Sequence, residues 1–156
     1  MKTIFLSFTP EPFYEPITKG VKRYEYRSRF CNEECYAYLY LSAPVQKVVA
    51  RIKFGKRIEL ESWEKEFSDD EEAMKRLKEF KTEGKRYAIP ILEFQEIAPV
   101  TLKRIKEQFT DFRPPRSYYI LDNNPLLLEY LDSIQLLGNK LVNDLTCIES
   151  AEVCTY

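Results

Sequence analysis

Short apolar runs recur along the chain with the lengths of β-strands. Thr3 to Phe8 is β-branched and aromatic and is followed by prolines, which predicts a first strand. Cys35 to Leu41 is rich in tyrosine and predicts a buried strand. In Lys47 to Lys53 apolar and basic positions alternate, so we expect a strand with one basic face. Tyr87 to Phe94 predicts another apolar strand, in which Pro90 favours an edge position or a bulge.

Other segments have the capping residues of helices. Pro12 can open a short helix through Lys19, with Gly20 at the C′ position. Ser68 and Glu71 have the spacing of a capping box, and a helix with a stripe of Met74, Leu77 and Phe80 follows. Gly84 is expected to end that helix.

The clearest helical pattern lies near the end of the chain. Asn124 is a predicted N-cap before Pro125, and Gly138 is the predicted stop of a helix over 125–137. A short helix is also predicted over Thr101 to Phe109, whereas the last residues to Tyr156 carry only weak signals. We find neither an internal repeat nor a long linker, so residues 1–156 are interpreted as a single domain.

The segment Gly20 to Phe30 combines charge with aromatic rings. From Arg23 onward the order has a strict period of two, which places Arg23, Glu25, Arg27 and Arg29 on one face and Tyr24, Tyr26, Ser28 and Phe30 on the other. The charged face is either a solvated strand surface or a row of guanidinium groups that binds phosphate oxygens or base edges. Lys22 is expected in the preceding turn as an additional point charge, and the tyrosines of the other face are expected in the core.

Composition is that of a globular protein with many aromatic residues. The chain has 156 residues, of which 44% are hydrophobic and 14% aromatic, and its net charge is -1. Bulk attraction to nucleic acid is therefore excluded, and any such binding requires a local basic patch. Lys19 to Arg29 is such a patch, with five basic residues against the single acid Glu25.

An acidic segment, Glu59 to Glu72, contains eight acids and only Lys65 as a base. Glu71 and Glu72 are spaced for i,i+4 pairs with Lys75 and Arg76, which favours a solvated helix face. A protein-binding adaptor surface is the alternative.

The chain has no histidine, which excludes Ser-His-Asp and Cys-His catalysis and histidine-bearing metal sites. The four cysteines are spaced unlike a zinc ribbon, so we predict free thiols, no metal and no cofactor; they are Cys31, Cys35, Cys147 and Cys154. No signal peptide or membrane-spanning run is recognised, and we expect a cytoplasmic protein with reduced cysteines.

The segment Gly20-x-Lys22-x-x-Glu25-x-Arg27 resembles the G-x-K-x-x-E-x-R signature of the ASCH family, within the PUA-like superfamily. Tyr40-Leu41-Ser42-Ala43-Pro44 and Pro114-Pro115-Arg116-Ser117-Tyr118 extend the likeness, which covers roughly Thr3 to Leu121. Weaker pieces of the same resemblance are Val48-Val49, Trp63 and Tyr87-Ala88-Ile89.

The resemblance implies an α+β fold, a small PUA-like mixed β-barrel with helices packed around it and a cleft beside the signature. It also implies RNA, a nucleotide or a modified nucleoside as the partner. Two departures, Pro16 in the first helix and Ala50 where the family usually has glycine, predict a different first wall of the cleft.

Two functions follow as hypotheses. The first is an RNA- or nucleotide-binding module with a basic cleft beside Gly20 to Arg29. In this module Tyr40 and Tyr118 would stack on bases, and Arg116 and Ser117 would make polar contacts. The expected binding residues are Lys22, Glu25, Arg27, Arg29, Tyr40, Arg116, Ser117 and Tyr118.

The second hypothesis is a nucleoside amidohydrolase or ribonuclease that acts through Lys22 and a carboxylate. The resemblance implies a Lys, a Thr and a Glu for the amidohydrolases, but Glu25 stands where the threonine is expected. The supporting acid is left open among Glu59, Glu61, Glu64 and Glu66.

Overall fold

A mixed β-sheet and six helices make up residues 1–154, the part of the chain that the computed structural model describes. The strands are β1 (Lys2–Phe8), β2 (Tyr24–Arg27), β3 (Cys35–Leu41), β4 (Lys47–Phe54), β5 (Ile58–Glu59), β6 (Tyr87–Thr101), β7 (Tyr118–Ile120) and β8 (Leu136–Val142). The helices are α1 (Tyr14–Thr18), α2 (Leu60–Glu66), α3 (Glu71–Thr82), α4 (Leu102–Gln108), α5 (Pro125–Asp132) and α6 (Ser150–Val153).

The sheet follows the order β2-β6-β4-β3-β1-β7, with β5 and β8 also pairing with β6. β1 and β3 are parallel, and the other pairs are antiparallel. The 15-residue strand β6 pairs with β2 and β5 through its first residues and with β4 and β8 through its later ones. The sheet curls into a half-barrel, and the helices pack around it.

Alternating side chains of the strands divide the apolar residues into three clusters. One face of β1, β3, β4 and β6 forms the largest cluster, which includes Ile4, Leu39 and Ile52. The opposite face packs under α4 and α5. Tyr24 and Tyr26 of β2 pack against α2 and α3, next to Trp63 and Phe80. The expectation that these two tyrosines are core residues is confirmed.

Most of the predicted strands are confirmed. β1, β3 and β4 have the expected bounds within one residue, and β4 alternates buried and less buried positions as its pattern predicted. Pro90 lies inside β6, opposite Tyr24, and its carbonyl accepts a hydrogen bond from the Gly55 amide at 2.9 Å. The β4–β6 register shifts beside it, so the bulge expected near Pro90 is confirmed.

The helix predicted over 125–137 is too long by five residues. Asn124 caps it as predicted, accepting a hydrogen bond from the Leu127 amide, but the helix ends at Asp132. Leu136 and Leu137 instead pair with β6 as part of β8. Gly138, the predicted helix stop, has φ +65° and lies where the β6–β8 register shifts. Its positive φ therefore serves a strand irregularity and not a helix terminus.

Two other local predictions are corrected. The N-cap of α3 is Asp70, whose carboxylate accepts a hydrogen bond from the Ala73 amide at 3.0 Å, and not Ser68. Arg76 pairs with Glu79, at 3.0 Å, where a pair with Glu72 was expected. Because the helix begins at Glu71, Asp70 and not Ser68 stands at its N-cap position.

Candidate functional site

A cavity of about 700 Å³ opens beside β2, and we call it the β2 cavity. Its walls come from the end of β1, from β2, from the turn after β3, from α3 and from the segment Pro114–Arg116. Five cations and two carboxylates line it: Lys22, Arg27, Arg76, Lys85, Arg116, Glu25 and Glu83. The chain is nearly neutral overall, so this excess of positive charge is local.

Lys22 enters the β2 cavity because the backbone before it is held in a tight turn. The Pro16 carbonyl accepts the amides of Val21 and Lys22, at 2.9 and 3.0 Å, and Gly20 has φ +69°. This turn directs the Lys22 side chain inward, where it is only 2% exposed. Lys22 precedes β2, as expected, and its charged group is buried.

The Lys22 ammonium lies between a carbonyl and a carboxylate. Its Nζ donates to the Tyr24 carbonyl at 2.7 Å and lies 3.4 Å from Oε1 of Glu25. Burial lowers the pKa of Lys22, and the neighbouring Glu25 carboxylate opposes that shift. Lys22 thus releases its proton more easily than a lysine in water.

Glu25 is buried and accepts several hydrogen bonds. The Tyr26 amide donates to Oε1 at 3.0 Å, and the Arg27 guanidinium donates twice to Oε2, at 3.2 and 3.0 Å. Burial alone would raise the pKa of Glu25, but Lys22, Arg27 and the Tyr26 amide outweigh it and hold this pKa below its usual value. At neutral pH Glu25 is therefore an ionised carboxylate.

Arg27 connects this charged group to the first strand. One guanidinium nitrogen donates both to Glu25 and to the Ser7 carbonyl at the end of β1, at 2.9 Å for the latter. The buried Lys22 and Glu25 and the partly buried Arg27 are thus fixed to two strands.

Aromatic rings form part of the cavity wall. Tyr26 stacks on Phe80 with ring centroids 4.1 Å apart, and the Arg76 guanidinium lies 4.1 Å from the Phe80 centroid on α3. The Tyr26 hydroxyl is buried and has no hydrogen-bond partner within residues 1–154. Burial raises the pKa of Tyr26, so this hydroxyl is a donor. The Phe13 ring lies 5.6 Å from Lys22 Nζ and is only half-buried.

The structure brings together five of the eight predicted binding residues. Lys22, Glu25, Arg27, Tyr40 and Arg116 all line the β2 cavity.

Three predicted binding residues lie outside the cavity lining, namely Arg29, Ser117 and Tyr118. The strand ends at Arg27, so the alternation does not continue to Arg29, which is exposed. The Tyr118 ring packs 5.5 Å from Phe30, and the Ser117 carbonyl accepts the Ser7 amide.

Arg23 also leaves the expected row of arginines. It donates to the Asp144 carbonyl and forms an ion pair with Glu152, near the end of the chain. The four-residue charged row is thereby reduced to the pair Glu25 and Arg27.

Sequence reasoning missed the α3 side of the site. Arg76, Phe80 and Lys85 line the cavity, as do the hydroxyl residues Thr9 and Ser42. The amphipathic pattern of α3 predicted the burial of Phe80, but no spacing rule shows which strand a helix packs against. Ser42 lies in the Tyr40 to Pro44 segment, and only the family resemblance had connected that segment with the cleft.

Within residues 1–154, no three His, Cys, Asp or Glu side chains cluster as metal ligands would. In the same part of the chain, no helix combines the length and apolar character needed to cross a membrane.

A mixed sheet curled into a half-barrel, with helices packed around it, gives the chain the α+β architecture that the resemblance implied. Comparison with solved structures then gives a particular likeness, to the ASCH protein of Zymomonas mobilis, with a TM-score of 0.64 and 20% sequence identity over 86% of this chain and 96% of that one. A serine-to-alanine mutant of that protein matches with a TM-score of 0.64 at 19% identity, covering 86% of this chain and 97% of that one. A tyrosine-to-phenylalanine mutant of it matches with a TM-score of 0.62 at 18% identity, covering 86% of this chain and 100% of that one.

The resemblance to the ASCH family is thus confirmed at the level of the fold. No protein-family profile matches the sequence, and no curated protein matches it. At these sequence identities the likeness shows the fold alone, and a fold does not determine a function.

Proposed function

We propose that the β2 cavity binds a nucleotide, either free or within single-stranded RNA. The observation that carries this proposal is the convergence of five cations and aromatic walls on one cavity of about 700 Å³. Cavities of roughly 300 to 1,000 Å³ are typical of small-molecule sites. An RNA-binding role also agrees with what the ASCH resemblance implied from the sequence.

The charged side chains that line the β2 cavity lie at two depths, at its rim and at its base. Arg116 is exposed and Lys85 is half-buried, so both present cations at the rim, where phosphate oxygens can reach them from water. Lys22, Glu25 and Arg27 lie at the base of the cavity. Glu25 suits the exocyclic amine of a base, because a carboxylate accepts such a donor. We therefore assign the rim to phosphate and the base of the cavity to a nucleobase edge.

The stacking surface differs from the one that the sequence predicted. Tyr40 lines the cavity but is only 3% exposed and packs on Phe5, and Tyr118 lies outside. Phe13 is the half-buried ring of the lining. We assign base stacking to Phe13, with Tyr26 and Phe80 as the wall behind it.

The test compares two exposed arginines. Binding of a fluorescently labelled single-stranded RNA octamer is measured by anisotropy at several salt concentrations for Arg116→Ala and Arg29→Ala. Arg116→Ala should weaken binding about tenfold and reduce the salt slope by about 0.7, as expected for one lost contact to a single-stranded phosphate. Arg29→Ala removes the same charge outside the cavity and should leave both values unchanged.

Equal losses in the two variants would show that binding is diffuse and would contradict the proposal, as would an absence of binding at low salt. Arg27→Ala is avoided here, because it removes a partner of the buried Glu25 and would confuse binding with folding.

A second candidate is hydrolysis of an acylated nucleoside or of RNA. The observation that favours it is the lowered pKa of Lys22 next to a carboxylate inside the same cavity. Incubation with N-acylated cytidine and with RNA, followed by chromatography, should then show turnover that Lys22→Met abolishes. Equal product from both proteins, or none from the native protein, would remove this candidate and leave the binding proposal standing.

A further inference from the structure

A second concavity lies next to the β2 cavity, between the turn that follows β3 and helix α4, and we call it the α4 cavity. Its volume is about 590 Å³. Gln46 and Leu102 line both cavities, so the two meet at these residues. The Gln46 carbonyl accepts a hydrogen bond from the Leu102 amide at 2.9 Å, which fixes the turn to the start of α4. The α4 cavity is therefore a continuation of the β2 cavity.

The lining of the α4 cavity is basic. Lys103 and Lys106 lie three positions apart on α4 and are both exposed, and Glu107 is the acid beside them. Lys47 is also exposed and lies opposite Thr101 of the same lining in the β4–β6 register. Exposed lysines of this kind bind phosphate oxygens. The excess of positive charge in the β2 cavity thus extends onto α4.

Another neighbour of the β2 cavity has a different charge. Lys85 lines both the β2 cavity and a smaller one, of about 290 Å³, beside α2 and α3. The charged residues of this smaller cavity are three glutamates and three cations, namely Glu59, Glu61, Glu64, Lys81, Lys85 and Arg86. These charges cancel, so a row of phosphates gains little there. A polyanion that fills the β2 cavity is therefore expected to leave it across Gln46.

Gln46 stands at the junction of the two cavities in an uncommon backbone conformation. Its φ is +51°, and among residues 1–154 only glycines share a positive φ with it. Such conformations are rare for other residues and are concentrated at ligand-binding sites. The side chain of Gln46 is exposed and ends in an amide, which can donate to and accept from a ribose hydroxyl or a base edge. Gln46 is therefore a candidate contact for a nucleotide that passes from one cavity to the other.

We propose that the ligand of the β2 cavity is a single strand of RNA, whose neighbouring nucleotide crosses Gln46 and places its phosphate on Lys103 and Lys106 in the α4 cavity. This inference rests on the proposed function and adds a second subsite to it. The base held in the β2 cavity must be unpaired, because a base inside a duplex cannot enter a pocket. A free nucleotide would occupy the β2 cavity alone and leave the α4 cavity unused.

The test compares a mononucleotide with a short strand. Binding of adenosine 5′-monophosphate and of tetra-adenylate RNA is measured by isothermal titration calorimetry for the native chain and for the double variant Lys103→Ala/Lys106→Ala. The native chain should bind the tetranucleotide roughly tenfold more tightly than the mononucleotide. In the double variant this ratio of affinities should fall to near one, and the salt slope for the tetranucleotide should be smaller by about 1.4.

Arg104→Ala is the matched control. Arg104 is exposed on the same helix, between the two lysines in sequence, but lies outside the lining of both cavities. Its removal should leave the ratio of affinities and the salt slope unchanged. An equal effect of Arg104→Ala and Lys106→Ala would show a diffuse attraction to α4 and would overturn the inference. Displacement of tetra-adenylate by a glutamate tetrapeptide would also overturn it, because the α4 cavity would then be a general site for acidic chains.

Gln46→Gly tests the junction without disturbing the fold. Glycine adopts a positive φ at little cost, so thermal stability should be retained or increased, whereas the amide contact is lost. The ratio of tetranucleotide to mononucleotide affinity should fall several-fold. An unchanged ratio would show that Gln46 only shapes the turn, and would contradict its assigned contact.

The outcomes separate this inference from the function on which it rests. Equal affinities of the native chain for the mononucleotide and the tetranucleotide would overturn the second subsite and leave the β2 cavity as a mononucleotide site. An absence of binding of both at low salt would contradict the proposed function, and the second subsite with it.

Discussion

Strands β2 and β4 both carry a row of charged side chains, but the two rows end in different environments. On β4, Lys47 is exposed, Arg51 and Lys53 are partly exposed, and Arg51 lies 4.0 Å from the centre of the Tyr36 ring. On β2, Glu25 is 7% exposed and is tied to Arg27 and Lys22 inside a cavity. The same alternating pattern therefore yields a solvated face in one strand and a buried charged group in the other.

The difference comes from what packs beside each strand. The aromatic face of β2 is covered by α3 through the Tyr26–Phe80 contact, and this helix also brings Arg76 to the cavity. A charged row that neighbouring elements enclose differs energetically from a solvated one, because burial strengthens each interaction and makes each lost partner costly. Substitutions in the two rows should therefore change the stability of the protein by different amounts.

The largest effect is expected for Glu25→Gln. This change leaves the buried Lys22 and the partly buried Arg27 without their carboxylate, so the free energy of unfolding should fall by about 3 to 5 kcal/mol. Urea unfolding followed by circular dichroism measures it, with Lys53→Gln on β4 as the matched control, for which a change within about 0.5 kcal/mol is expected. Similar losses in the two variants would mean that the β2 row is as solvated as the β4 row.

The stability difference between the native chain and Glu25→Gln should also depend on pH. The folded-state pKa of Glu25 lies below its unfolded value, which is about 4.3 for a free glutamate. Its contribution is therefore complete above about pH 4.3 and is lost as the pH falls through the folded-state pKa. Unfolding curves between pH 7 and pH 2.5 should show the difference shrinking only at the acidic end. A difference that stays constant over this range would contradict the charged state assigned to Glu25.

Lys22→Met should have a smaller effect on stability. The ammonium loses its hydrogen bond to the Tyr24 carbonyl, but its burial cost disappears too, and Glu25 keeps Arg27 and the Tyr26 amide. We expect a loss of about 1 to 2 kcal/mol in the same urea experiment. A loss as large as that of Glu25→Gln would show that Lys22, and not Arg27, is the principal partner of the carboxylate.

The smallest effect is expected on β4. Arg51→Ala removes the contact with the Tyr36 ring, which is worth about 0.5 to 1 kcal/mol. The Arg51 Nε is buried without a hydrogen-bond partner within residues 1–154, so its removal also relieves a small cost. Thermal unfolding should detect only a slight decrease, and a large one would place Arg51 in a charged network like that of Glu25.

Local chemistry predicted most of the elements but not the way they pack. The alternating burial in Lys47 to Phe54 and the helix N-cap at Asn124 could be predicted from the sequence, because each depends only on neighbouring residues. The end of α5 could not, since the apolar spacing of Leu136 and Leu137 fits a helix as well as a strand and only the pairing with β6 decides.

The candidate site likewise combines residues that a short sequence segment predicts with residues that only tertiary packing brings together. The signature residues Lys22, Glu25 and Arg27 were found from the sequence because they are close together in one short segment and match a family pattern. Arg76 and Lys85 were not, because they reach the cavity from a helix and its following turn, about fifty to sixty residues further along. Arg29 lies outside the cavity lining because the period of two does not continue beyond the end of β2.

Strand β6 pairs with strands that begin as early as residue 24 and end as late as residue 142. Its amides should therefore be among the slowest to exchange with deuterium, because they open only when partners from both ends of the chain separate. β2, which forms one wall of the cavity, and the terminal strand β8 both pair with β6. Neither pairing can therefore be complete before β6 has formed. The β2 cavity is thus expected to appear late in folding, together with the closing of the sheet, as an event of high contact order.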